Sequence, residues 1–227
     1  MAAGGNAKWL DVSAERFPGW VASFARRHGD CGSGPEVTPG AGTVAFTAAD
    51  GAVAECHPPF PESFAVPPGP ASPGQIAALL AAHARAPRTV GVLLVRLGGY
   101  AAGVFTGYPP ALADSKVGSR LVHGRSAAGG WSQHRFARRR EKQANEALGA
   151  AADVAAAVFG RGPRLDAIVL GGDKRAVAEL RDDPRLAPYL ALATERFLTV
   201  PDPKRAVLEA APRLFTAVRI RLTEPSM

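Results

Sequence analysis

Seven prolines fall within the seventeen residues from His57 to Pro73. Proline fixes φ near about −65° and has no amide donor, so such a stretch enters neither a helix interior nor a central strand. The chain is therefore divided there. Two readings follow: a linker between a small N-terminal module and the main domain, or an ordered strap lying across one domain. The linker reading sets the expected domains, with residues 1–73 as a small α+β module and its linker, and residues 74–227 as the main domain.

Ahead of the prolines, Arg16 to His28 carries Phe17, Trp20, Val21 and Phe24 at helical spacing. Thr43 to Thr47 and Ala52 to Cys56 are short β runs joined through Ala49-Asp50-Gly51, a hairpin turn. After the prolines, Gly74 to Ala86 reads as a helix. Val90-Gly91-Val92-Leu93-Leu94-Val95 is a continuous apolar strand suited to burial on both faces. Ala101 to Thr106 returns from a Gly98-Gly99-Tyr100 turn, and Lys116 to His123 makes a third strand. Their short connections make the three antiparallel.

A long helix follows, from about His134 to Phe159, ended by Gly160 in a C-terminal capping position. Strands at Leu165 to Leu170, Phe197 to Val200 and Phe215 to Leu222 then alternate with helices at Lys174 to Arg181 and Pro203 to Ala211. Three antiparallel strands followed by alternating helices and strands give an α/β fold with a mixed sheet flanked by helices, of RNase H-like order.

The charge is as uneven as the prolines. The chain has 27 Lys and Arg against 20 Asp and Glu. From Lys116 to Lys142 there are eight basic residues and one acid, Glu141, which accounts for the whole net charge of +7 and leaves 19 of each sign elsewhere. A positive field concentrated on one segment fits a polyanion, and nucleic acid above all. No apolar run reaches the roughly 18 residues of a spanning helix, and no helix pairs this charge with a wide apolar face, so a membrane partner is not expected. Two cysteines are too few for a disulfide framework. With no secretory leader at the start, the expected setting is cytoplasmic, and a monomer is expected.

Within the basic segment, Gly129-Gly130-Trp131-Ser132-Gln133 runs directly into His134, Arg135, Arg138, Arg139, Arg140 and Lys142. The loop holds no nucleophile, no base and no metal ligand, and no cofactor or metal is expected. It offers backbone freedom at Gly129 and Gly130, and in Gln133 an amide that both donates and accepts. Such an amide holds a water in line or donates to a developing oxyanion, which suits an already activated ester. Ser132 or a neighbour starts the helix, so Arg135, Arg138, Arg139 and Lys142 recur three or four apart in its first turns. Contacts from such a face to phosphates orient a protein without reading sequence.

Gly130-Trp131-Ser132-Gln133 followed by a basic helix resembles the catalytic loop of the release-factor-like peptidyl-tRNA hydrolases of ribosome quality control, relatives of the Gly-Gly-Gln domain of eukaryotic and archaeal class-1 release factors. Length and Ala-rich composition are most similar to the compact actinobacterial branch. The resemblance covers about Thr89 to Leu222 and is weaker before that, resting on Arg16-Phe17-Pro18-Gly19-Trp20. It implies an RNase H-like catalytic domain whose loop enters the peptidyl-transferase centre of the large ribosomal subunit. There Gln133 would promote water attack on the peptidyl-tRNA ester, with Gly129 and Gly130 fitting the backbone. Arg125, Trp131, Ser132, His134, Arg135, Arg138, Arg139, Arg140 and Lys142 would contact RNA. Trp131 and Ser132 separate the glycines from the glutamine, unlike in a classical release factor, and the chain is too short for a codon-reading domain as well. Both features imply action on stalled peptidyl-tRNA rather than on stop codons.

Two other functions fit the same residues. One is a tRNA 3′-end endonuclease using His123 or His134. The other is a non-catalytic rRNA-binding factor in which Gln133 is dispensable. Elsewhere the residues read as structural. Gly171-Gly172-Asp173-Lys174 is a turn with Asp173 as helix cap. His28, Cys31, Cys56 and His57 lack a strong zinc spacing. Asp11, Asp153, Asp166 and Asp173 do not form the acidic cluster of a two-metal nuclease.

Overall fold

The computed structural model describes residues 7–31, 36–38, 42–66, 71–96, 98–119 and 132–225, and for residues 36–38 and 132–142 the backbone alone. In chain order the elements begin with strand β1 (Ala7–Val12), helix α1 (Phe17–His28), and strands β2 (Glu36–Thr38), β3 (Thr43–Thr47) and β4 (Val53–His57). Helix α2 (Pro73–Ala84) precedes strands β5 (Arg88–Arg96), β6 (Gly99–Gly107) and β7 (Ala111–Ser119). Then come helix α3 (Ser132–Arg161), strand β8 (Ala167–Gly172), helices α4 (Lys174–Glu179) and α5 (Ala187–Leu190), and strand β9 (Ala193–Leu198). Helices α6 (Arg205–Ala210) and α7 (Pro212–Phe215) lead to strand β10 (Val218–Thr223).

The chain forms two compact units, one of residues 1–86 with 213–227, the other of residues 87–212. In the first, an antiparallel sheet of order β1-β10-β4-β3-β2 shares a core with α1 and α2. Phe17, Val21 and Phe24 recur on one stripe of α1 and are buried, with Trp20 stacked between the two phenylalanine rings. The β3–β4 turn is the expected hairpin, with the Ala52 amide donating to Asp50 at 2.9 Å.

The expected division at residue 73 differs from this arrangement in two ways. The described first part of the proline stretch, residues 57–66, is a strap on the first unit, the second of the two readings: Pro58, Pro59 and Phe60 are buried. His83 Nε2 lies 2.9 Å from the Pro59 carbonyl oxygen, and Phe60 meets Phe215 edge-on. Pro73 is not the end of a linker but starts α2, behind a capping box of Ser72 and Gln75. The last strand also joins this unit rather than the main domain. Val218, Ile220 and Leu222 point into its core while Arg219 and Arg221 are exposed, an alternation made for a sheet with one open face.

The second unit is the RNase H-like mixed sheet, of order β7-β6-β5-β8-β9. Strands β5, β6 and β7 pair antiparallel, and β5, β8 and β9 pair parallel. Val90 through Val95 are buried throughout, as a central strand requires. One face carries Leu93, Val95, Ala102, Val104, Ile168 and Leu170 against α3. On the other, Leu208 of α6 approaches Gly103. Strand β7 starts five residues earlier than expected, the expected end at residues 120–123 lying outside the described residues, and β9 starts four residues earlier. Among the described residues no helix is long and apolar enough to cross a membrane.

Candidate functional site

The strands of the second unit that run the same way (β5, β7, β8 and β9) end together at one edge of the sheet, at Arg96, Ser119, Gly172 and Leu198. From β5 the chain turns to β6 on one side. From β7 it crosses through α3 to β8 on the other. In open α/β sheets the crevice at the carboxyl ends, where connections diverge, is where ligand sites form. Strand β7, the last described element before the candidate loop in the sequence, ends at this edge.

Arg125, Gly129, Gly130 and Trp131, with His123, lie outside the described residues. Ser132, Gln133, His134, Arg135, Arg138, Arg139, Arg140 and Lys142 all fall on helical backbone in the leading half of α3. The helix begins at Ser132, the start proposed from the spacing of the arginines, so Gln133 belongs to its first turn. It also runs through Gly160 instead of stopping there. Gly160 is absent from the glycines with left-handed φ. Its missing side chain leaves room for Tyr189, whose Oη would lie 3.2 Å from a Cβ at that position.

At about 1.5 Å per residue, the thirty residues of α3 span roughly 45 Å, with Ser132 roughly 17 Å along the axis from Gln143. The trailing half is embedded: Ala147, Ala151, Ala152, Ala155, Val158 and Phe159 are buried. Two ion pairs hold it. Arg161 donates to Asp114 of β7 at 2.9 and 3.2 Å. Arg185 bridges Asp153 of α3 to Asp183, and its guanidinium holds the Asp183 carboxyl below the usual carboxylate range. Sequence reasoning missed these four anchors because 47 residues separate Asp114 from Arg161, and 32 separate Asp153 from Arg185. The leading end combines the positive end of a helix dipole with the basic sequence, so both favour an anion.

Four of the remaining candidates have structural partners. Asp173 caps α4, accepting from the amides of Arg175 and Ala176. Asp166 accepts from the Thr89 amide at 2.7 Å. His28 lies 2.8 Å from Asp50, and His57 3.3 Å from Thr43 Oγ1. Cys31 and Cys56 are buried free thiols, and burial pushes both above the ordinary thiol value.

The sequence profile of a family described as the Actinobacteria/chloroflexi VLRF1 release factor matches residues 88–221, more than half of the 227-residue chain. No curated protein matches the sequence. Among solved structures, the chain is similar to an archaeal translation termination factor, aRF1, at 13% identity and a TM-score of 0.41, covering 75% of this chain and 51% of that one. It is similar to the Vms1 mitochondrial localization core at 11% identity and a TM-score of 0.37, covering 83% and 78%. Pelota from Archaeoglobus fulgidus is similar at 12% identity and a TM-score of 0.32, covering 95% and 65%. The chain thus spans about half the length of the archaeal termination factor, 51%.

Proposed function

The chain belongs to the Actinobacteria/chloroflexi VLRF1 release factor family, and from that premise we propose that it is a ribosome-dependent peptidyl-tRNA hydrolase that frees nascent peptides from stalled large-subunit complexes. The observation that carries this reading is that the family match, residues 88–221, contains the whole loop and the helix behind it. Membership makes the protein release-factor-like; the ester, the subunit and the residue roles are our reading.

In the reaction, water attacks the carbonyl carbon of the ester between peptide and terminal ribose. The bond from that carbon to the ribose oxygen breaks. One proton of the water ends on the ribose oxygen, which leaves as a hydroxyl, and the other passes to solvent as the peptide leaves as a carboxylate. Gln133 accepts a hydrogen bond from the attacking water or donates one to the oxyanion. As a neutral amide it takes no proton. Its position in the first turn of α3 supports this role, because the first four amides of a helix lack intrahelical partners and face the positive end of the dipole. Gly129 and Gly130 let the loop backbone fit a narrow RNA cavity. Arg125, Trp131, Ser132, His134, Arg135, Arg138, Arg139, Arg140 and Lys142 hold the rRNA of the peptidyl-transferase centre and the acceptor end of the tRNA. We assign the catalysis to the unit of residues 87–212.

The test is release of labelled peptide from peptidyl-tRNA on purified large subunits, with the tRNA product sized. Wild type should leave full-length tRNA, and Gln133→Ala should release about 10²–10³ times more slowly, the usual loss for one preorganised donor. A shortened tRNA would instead identify an endonuclease. No release by wild type would leave an RNA-binding factor, and release that survives Gln133→Ala would overturn the role given to Gln133.

A further inference from the structure

Tyr100 sits near the start of β6, paired with Val95 of β5 and with Gly118 of β7. Its ring lies over Gly118: a Cβ built there would fall 2.5 Å from Tyr100 Oη, 2.6 Å from Cζ and 2.7 Å from Cε2. Gly118 has no left-handed φ, so it is the ring and not the backbone that requires glycine. Tyr100 also lines a cavity of about 180 Å³ with Ala144, Ala147 and Leu148 of α3. Beyond Gly118 only Ser119 remains before the chain leaves β7, and it returns as α3 at Ser132. One ring therefore packs on the strand that leads into the candidate loop and faces the helix that leads out of it.

We propose that Tyr100 is a positioning residue for peptide release: it sets the spacing between β7 and α3, and so the place of the helix end that carries Gln133. This rests on the role given to Gln133 above. The leverage follows from the embedded half of the helix. With the pivot at Ala155, Ala147 lies about 12 Å away and Gln133 about 33 Å, so a lateral shift beside Tyr100 grows nearly threefold at the reacting end. A misplacement of about 1 Å can cost about 10²-fold in rate. Ala144 and Ala147 are small, so the Tyr100 ring on the sheet side, with Leu148 on the helix side, supplies the bulk at this contact.

The test uses the full chain carrying Gly118→Ala, Tyr100→Ala, Tyr100→Phe, or the first two together. Three quantities are read: kcat and KM for peptide release, the melting temperature, and the dipolar distance between spin labels at Lys116→Cys and Glu146→Cys, both exposed positions. Gly118→Ala should displace the ring, shift or broaden that distance, and lower kcat about ten- to hundredfold with KM within about twofold. Tyr100→Phe keeps the ring and should match wild type. If the glycine acts through the ring, the double variant releases no more slowly than Tyr100→Ala alone. An unchanged distance in Gly118→Ala and Tyr100→Ala overturns the proposal, and so does a changed distance with unchanged kcat. Wild type that releases no peptide overturns the functional reading beneath it. The two failures are told apart because the distance needs no activity.

Discussion

Gly172→Ala should be among the most damaging single-methyl additions to the second unit. Gly172 ends β8 with φ of 100°, a region where an L side chain is strained by about 1–2 kcal/mol. A Cβ there would fall 2.2 Å from the Val95 carbonyl oxygen, 2.8 Å from its carbon and 3.1 Å from the Val95 nitrogen. These are backbone atoms of the central strand, so no rotamer change relieves the overlap. The same carbonyl accepts from the Asp173 amide at 2.8 Å, and moving it loses a bond worth about 1 kcal/mol. Together with some displacement of β5, the expected loss is about 3–4 kcal/mol. At roughly 2–4 °C per kcal/mol for a chain of this size, that lowers the melting temperature by about 6–16 °C. Calorimetry and urea unfolding of wild type and variant measure it. A melting temperature within about 2 °C of wild type would refute the argument, since it would mean that the strand end relaxes freely.

Gly149→Ala should act in the opposite sense: no neighbouring atom lies within 4 Å of a Cβ there, and the change should stabilise α3 by about 0.5–1 kcal/mol in the same unfolding assay. Phe24→Ala, at a fully buried ring in the first unit, should cost about 3–5 kcal/mol by urea denaturation. Replacing Arg138, Arg139 and Arg140 together by Ala should weaken large-subunit binding and reduce the slope of log affinity against log salt by about 2–3, read by titration at several salt concentrations. The Asp50 carboxyl is held below its ordinary value by the Ala52 amide first and by His28 second. Its contribution to stability is thus present above about pH 4 and lost as pH falls through the lowered folded value. Acid unfolding of wild type against Asp50→Asn should show that component vanish in the variant.

The central strand of the second unit was readable because six apolar residues in a row suit only a doubly covered position. α1 was readable because three large side chains repeat at one helical spacing. The basic segment was readable because charge needs no fold to be seen. β10 was assigned to the nearer domain, although the alternation of Val218, Ile220 and Leu222 with Arg219 and Arg221 already argued for a half-open sheet. β1 escaped notice because six residues with only Trp9, Leu10 and Val12 as large apolar side chains carry little periodicity until a partner strand supplies the register. The strap was one of two readings that composition left open: proline forbids regular structure, but it does not forbid burial against Phe215 and His83. The Arg161–Asp114 and Arg185–Asp153 anchors depend on tertiary proximity that no local pattern encodes.

β10 lies between β1 and β4, the first and the last of the four other strands in its sheet. Lys8 and Glu224, joined by a 2.9 Å ion pair, are separated by 216 residues. During synthesis, then, β1 through β4 and both helices emerge with a slot between β1 and β4. That slot stays open until the entire second unit has been translated. Until then β4 shows a bare edge beside an apolar core that lacks Val218, Ile220 and Leu222, a surface prone to pair with other chains. Loop closure over so long a separation is also slow to reward. The first unit is therefore the part of the newborn chain that finishes last, although most of it is made first.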